Sequence, residues 1–400
     1  MTQLMLKFNM STVKLGKASC PVNKKLGNGC CTMRTLYLFL TLLLSLSCLR
    51  FRVENLKEEI LFRIPLGQTN ESFEGVVVNQ VLTNVPLTIP NSSNISAMAD
   101  NKQAVIKLFD RNGRLDATLG NPDFKSNSGI PHYPFRFGGI GIVAMNEDGD
   151  LIVQNRISTK GMELPPGQEN LYKTYSGAFS TQGATVLPSF LVQISQKGVV
   201  KFMLGASGKN SEPFRYIEFI LPGDGEKLFV YHRIAEEMRL SYFEEGELKG
   251  NLKESGLDVF ASNDAKEYDI TLDKLLPHPE GEYVLGSFSY YSKKDKRFKF
   301  RRIFRFVFDS KQSEFLKEIQ DPSEILFSIR NNGEFYIWET EDGGNAARLQ
   351  VHDKEGNHIN NKRIPFSTPR GQWRETYTDA FDNIYSVRIR AGALEVYRWI

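Results

Sequence analysis

Carboxylates cluster in two short stretches of this chain, Asn146-Glu-Asp148-Gly149-Asp150 and Glu339-Thr-Glu341-Asp342-Gly343. Oxygen ligands interrupted by glycine are the donor set of a calcium loop, but neither stretch has the downstream Glu that completes one. Acidic hairpin tips account for both, and no metal is expected. The histidines, His132, His232, His278, His352 and His358, are scattered. There is no H-E-x-x-H pair for zinc, no G-x-S-x-G nucleophile turn and no phosphate-binding P-loop. Gly139-Ile-Gly141-Ile-Val-Ala144 has the spacing of a dinucleotide fingerprint, yet a strand and a turn follow where the pyrophosphate would need a helix N-terminus. No catalytic residue is assigned, and no cofactor is expected. Two stretches have the composition of a binding surface. The segment Gly129–Gly138 holds His132, Tyr133, Phe135, Arg136 and Phe137, and a longer one around Tyr172 and Tyr175 follows. Exposed Tyr, Phe and Arg are the side chains that anchor protein interfaces. The competing reading is that such aromatics cover the edge of a sheet.

One further residue has chemistry that depends on its surroundings. Cys48 closes the apolar run from Met33, and no cysteine follows it. A short basic start, an apolar stretch and small residues before a cysteine outline a secretion signal. With cysteine at the cleavage point, the outline resembles a bacterial lipoprotein signal peptide, whose cysteine receives lipid and becomes the mature N-terminus. Ser45-Leu46-Ser47-Cys48 departs from the usual box, because Leu44 lies four places before the cysteine rather than three. Cleavage without lipid and a retained anchor are the alternatives. Length argues against the anchor: the 15 residues between Arg34 and Arg50 reach about 22 Å as a helix, and a bilayer core needs about 30 Å. Residues 1–32 then read as an over-extended start, 33–47 as the signal, 48–58 as a lipidated tether and 59–400 as one folded domain. Cys20, Cys30 and Cys31 match no zinc spacing.

Removing the leader reverses the charge. Residues 1–47 carry six Lys or Arg and no acid, so the remainder has 50 − 6 = 44 basic against 47 acidic residues. A slightly acidic, balanced domain has no electrostatic footprint for nucleic acid. The absence of cysteine after Cys48 leaves burial alone to hold the fold, and 28 Phe and 15 Tyr supply large apolar area for it.

The elements that must position these residues are strands. From Glu59 to Ile400 the chain repeats one pattern, with runs of four to eight Val, Ile, Phe and Tyr-rich residues between polar turns. Only Arg233–Leu240 suggests a turn or two of helix. An apolar lead, an acidic-Gly turn and a strand recur, with turns centred at 149, 225, 281, 333 and 382, spaced by 76, 56, 52 and 49 residues. A second phrase, strand, polar turn, strand, follows most copies: Ala104–Leu115, Phe190–Phe202, Arg239–Leu248, Ile303–Ser310 and Arg348–Ile359. Each pair of phrases makes about four strands, the content of one propeller blade, and the later spacings approach a blade repeat. The wide first interval holds Ser158–Leu187, read as an insertion.

The phrase pair is similar to that of NHL-type and TolB-like six-bladed β-propellers. The whole domain resembles the β-propeller lipoproteins of spirochaetes, leptospiral ones in particular. The fold expected is all-β, a propeller of about six four-stranded blades, closed by pairing Glu59–Pro65 with Leu394–Ile400. Two function classes follow. One is a lipid-anchored protein of the cell envelope, in the periplasm or at the surface, that binds or scaffolds an envelope protein without catalysis of its own. The other is a lactonase-type hydrolase, which would need carboxylate, amide and imidazole side chains converging on the ring axis around a metal.

Overall fold

Every residue from Leu151 to Asn155, and every residue of Ser189–Ile194, is buried. Strands that bury both faces do not alternate apolar with polar, and these two open on the runs Leu151–Val153 and Phe190–Val192. In the computed structural model such strands form radial sheets, each flanked by two others. The structure describes residues 53–400 except 68–75, 79–80, 84–86, 89–95, 101–102, 127–128, 158–178, 182–183, 187, 311–312, 367–373, 379–382 and 391. Cys48, the leader, Tyr172 and Tyr175 lie outside the described residues.

Six blades form the ring. Blade 1 runs outward from Leu87–Thr88 through Ser96–Asp100 and Val105–Phe109 to Leu115–Gly120. Blade 2 is Ile140–Met145, Leu151–Arg156, Ser189–Ile194, Val200–Gly205 and the short Gly208–Lys209. Blade 3 is Tyr216–Pro222, Lys227–Ile234, Glu237–Glu244 and Glu247–Lys253, and blade 4 is Tyr268–Pro277, Val284–Ser292, Phe298–Phe306 and Ser313–Ile319. Blade 5 is Ile325–Ile329, Phe335–Glu341, Ala346–His352 and His358–Pro365. Blade 6 is Arg374–Thr378, Ile384–Arg390 and Ala393–Trp399, completed at its outer edge by Glu58–Pro65. Arg233–Leu240, read as a possible helical turn, is instead a tight hairpin, with Ala235 at φ +52°. Helical structure among the described residues is confined to three 3-10 turns between Glu254 and Lys266, and no helix is long and apolar enough to cross a membrane.

The core is divided among the seams. Ile106, Val143 and Val153 pack between blades 1 and 2, while Ile152, Leu191 and Ile217 pack between blades 2 and 3. Phe229, Leu275 and Phe288 fill the third seam, Leu285, Leu326 and Phe335 the fourth, Tyr336, Ile384 and Trp399 the fifth, and Met98, Phe62 and Val396 the sixth. The sixth closes the circle. Neighbouring residues such as Ile152 and Val153 serve opposite seams, which follows from the two-residue period of a strand.

Closure joins the two ends of the domain. Glu58–Pro65 pairs antiparallel with Ala393–Trp399, from Glu58 opposite Trp399 to Pro65 opposite Ala393. Arg388, fully buried, donates from Nε to Glu395 at 2.6 Å and from Nη2 to Glu58 at 2.9 Å, while Arg63 Nε reaches Glu395 at 2.8 Å. The stretch read as a tether already belongs to the fold from Val53, because Val53–Asn55 adds as a parallel strand to the outer edge of blade 5. Covering that edge removes a row of unpaired backbone groups.

In blades 1 to 5 the turn between the third and fourth strands presses on the outer strand of the blade before it. Gly113 of blade 1 meets Phe62 of blade 6, where an added Cβ would lie 2.8 Å from Phe62 Cβ. Gly356 of blade 5 meets the Leu316 carbonyl of blade 4, with 2.6 Å for the same imagined atom. Both have φ in the left-handed region, so glycine answers a backbone need and a space need together. In blade 4 the same turn exchanges hydrogen bonds with blade 3, Asp309 N to Asn251 O at 3.2 Å and Asn251 N to Asp309 Oδ1 at 3.1 Å.

Candidate functional site: the central channel

The first strand of each blade faces the ring axis, and those of blades 2 to 6 line a cavity of about 1000 Å³. Four of them carry a local bulge against the second strand: between Ile140 and Val143, Ile217 and Phe219, Leu272 and Lys274, and Leu326 and Ser328. A bulge inserts one unpaired residue and re-aims the side chains around it. Gly141–Ile142, Glu218, Asp273 and Phe327 occupy the bulged positions, so polar groups reach the channel from strands that otherwise serve the core.

The wall is mostly apolar, with Phe219, Leu221, Leu272 and Phe327 among the lining residues. Its carboxylates are engaged. Glu218 accepts a hydrogen bond from the Tyr216 hydroxyl, and Glu254 accepts one from Tyr231 at 2.6 Å. Burial and the adjacent Glu254 carboxylate push the Tyr231 phenol well above its usual range. Asp273 Oδ2 accepts from Ser289 Oγ at 2.6 Å and from Arg301 Nε at 2.7 Å. Lys274 differs: its Nζ donates to the Phe327 carbonyl at 2.7 Å, and burial alone pushes its ammonium down to about 8. Among the described residues, no histidine, asparagine or glutamine lines the channel.

On one face of the ring the turns that leave the first strands are tied together. Asn331 Nδ2 of blade 5 donates to both Asp224 oxygens of blade 3 at 3.1 and 3.2 Å. Asp224 N donates to the Pro279 carbonyl of blade 4 at 3.1 Å, and His278 Nε2 lies 3.1 Å from the Asn331 carbonyl. These bonds tie blades 3, 4 and 5 together at that face.

A carboxylate cluster lies on these same turns. Asp148 and Asp150 of blade 2 approach Glu226 of blade 3, with oxygens within 4.8 Å of one another. Two of its three members belong to the acidic stretch singled out from the sequence; Glu226 comes from the next blade and was not visible there. Lys201 pairs with Asp150, and its Nζ is 3.8 Å from Glu226. Gln193 Nε2 donates to the same two carboxylates at 3.1 and 3.2 Å. The hydrogen bond to Asp150 raises the Lys201 pKa, so a protein ammonium occupies the place of a cation.

The aromatic segment of blade 1 is split by the fold. His132–Pro134 forms a parallel outer strand on Leu115–Gly120, with His132 opposite Thr118. His132 Nδ1 lies 2.9 Å from Thr118 Oγ1, and Nε2 lies 3.1 Å from the Asn121 carbonyl. Phe135 and Phe137 are buried in the seam between blades 1 and 2, and Tyr133 packs against that seam. Arg136 is exposed. The structure therefore brings Tyr133, Phe135 and Phe137 together as packing and leaves Arg136 on the surface. Other histidines are structural. His232 and His352 are buried, and desolvation lowers each pKa to about 4.

The chain matches no family model and no curated protein sequence. Solved structures resemble it in fold. The β-propeller domain of the Trilobed protease from Pyrococcus furiosus is 11% identical over 80% of this chain and 82% of that one, with TM-score 0.40. Regucalcin, a calcium-binding protein from Agrobacterium tumefaciens, is 11% identical over 86% and 94%, with TM-score 0.37. A gluconolactonase from Xanthomonas campestris is 8% identical over 86% and 100%, with TM-score 0.36.

Proposed function

We propose that this chain is a binding propeller, held to a membrane of the cell envelope by lipid on Cys48, that takes a small ligand into its central channel. The carrying observation is the channel: about 1000 Å³, walled by apolar side chains and set with a few polar ones. That is the usual composition of a ligand site. The turns between second and third strands lie on the face opposite the Asp224–Asn331 ties. The insertion 158–187 joins the second and third strands of blade 2, which places its connection on this face. Arg136, which is exposed, and the segment 158–187 with Tyr172 and Tyr175 are proposed to meet an envelope partner.

A metal-dependent lactonase is the second class considered. The donor set favours binding, because the channel carboxylates are each paired with a protein donor and no amide or imidazole lines the wall among the described residues. Calcium and zinc titrations followed by calorimetry test this: no stoichiometric tight binding is expected. One tightly held ion per chain, lost when Asp273 or Glu218 is replaced by the amide, would overturn it.

A further inference from the structure

We propose that Lys274 recognises the anionic end of the ligand, an amphipathic organic acid whose apolar part lies along the channel wall. The inference rests on the channel reading above and adds to it the chemical class of the ligand.

Lys274 lies on the first strand of blade 4 and lines the channel. The bulge between Leu326 and Ser328 frees the Phe327 carbonyl from the blade 5 ladder, and the Lys274 ammonium caps it at 2.7 Å. The Phe327 ring lies 5.6 Å from the same nitrogen. An ammonium has three N–H donors, and one is used. The neighbouring carboxylate is committed elsewhere, since Asp273 is held by Ser289 and Arg301. Glu218 and Glu254 are held by tyrosine hydroxyls. Burial is the cause of the depressed Lys274 pKa, and among the described residues no carboxylate pairs with its ammonium.

A half-buried ammonium with no carboxylate partner among the described residues is costly, and groups of this kind concentrate at functional sites. At neutral pH the amine, with a pKa of about 8, is mostly protonated and so is a cation awaiting an anion. The two N–H donors without a partner among the described residues suit a carboxylate. The flanking Leu272, Phe219 and Phe327 suit an apolar or aromatic body rather than a sugar. A purely structural Lys274 would cap Phe327 O and nothing more.

Calorimetry on the full chain with 4-phenylbutyrate and its uncharged, near-isosteric amide separates these roles. Wild type is expected to bind the acid at least tenfold more tightly than the amide. Lys274→Met should remove that preference while keeping the affinity for the amide, and Lys274→Arg should keep most of it. A thermal melt shows that each variant is folded. Equal affinity for acid and amide in wild type, or a preference that survives in Lys274→Met, overturns the role of Lys274 and leaves the channel reading standing. Failure of wild type to bind either compound overturns both.

Discussion

His232 and His352 carry no solvent exposure, and each has one ring nitrogen without a hydrogen-bond partner. Both are neutral in the fold, with pKa near 4 against an ordinary 6.5. Between those values the unfolded chain binds more protons, so stability falls as pH drops from about 6.5 to 4. Each histidine contributes up to about 3 kcal/mol to that loss. Denaturant titrations at stepped pH should show the decline, and His352→Phe, which keeps a ring against Phe335, should make it shallower. An unchanged slope would contradict the assignment. Lys274 works in the same direction, in an alkaline window. Its folded pKa of about 8 lies below the ordinary 10.5, so the unfolded chain holds the proton between them. Stability should therefore rise as pH climbs from about 8 to 10.5, and that component should vanish in Lys274→Met. These residues could not be picked out from the sequence. Nothing near His232 or His352 distinguishes a core imidazole from a surface one. Asp273-Lys274 inside an apolar run was a signal, but its meaning depends on a bulge that one strand read alone does not reveal.

At the scale of the strand, closure concentrates charge. Removing Arg388 leaves Glu395, 2% exposed, without its main partner, and severs the link to Glu58. Arg388→Ala should cost about 3–5 kcal/mol, the usual penalty for stranding a buried charge. Chemical denaturation measures it, and a loss below about 1 kcal/mol would show that Glu395 finds water or Arg63 instead. The turns offer a second test. Gly113→Ala adds a methyl group 2.8 Å from Phe62 Cβ at φ +73°, so it should cost roughly 1–3 kcal/mol. Gly129→Ala also sits at positive φ but meets nothing within 4 Å, and should cost less. Turn chemistry was the legible part of these elements, because acidic-Gly tips at Gly149, Gly225, Gly281 and Gly333 mark the hairpins directly. Pairing partners were legible for Glu59–Pro65 and Ala393–Trp399, since two strong strands at opposite ends of a repeat must cover one another. The parallel strands His132–Pro134 and Val53–Asn55 were not. Each is three residues long, and its place is set by the edge it covers rather than by its own composition.

For the whole molecule, the paired phrases, their spacing and the resemblance to six-bladed propellers led to about six blades, and the seams confirm a closed ring. The channel was less accessible to sequence reading, because it is assembled from strands that lie up to about 240 residues apart, from Ile142 to Tyr385. Anchoring is a separate prediction on residues outside the described part. Cys48→Ala, expressed in a bacterial host that processes lipoproteins, should shift the protein from the membrane fraction to the soluble one. Unchanged fractionation would remove lipid attachment from the account. The lack of cysteine after Cys48 supplies a direct probe of the channel itself. With Cys20, Cys30, Cys31 and Cys48 replaced by serine, a lone thiol placed by Leu272→Cys faces the channel, and one placed by Leu248→Cys lies on the exposed outer strand of blade 3. The rate of maleimide labelling, with and without saturating 4-phenylbutyrate, is the decisive measurement. Slower labelling at Leu272→Cys with no change at Leu248→Cys is predicted. An unchanged rate at Leu272→Cys would contradict a ligand site in the channel.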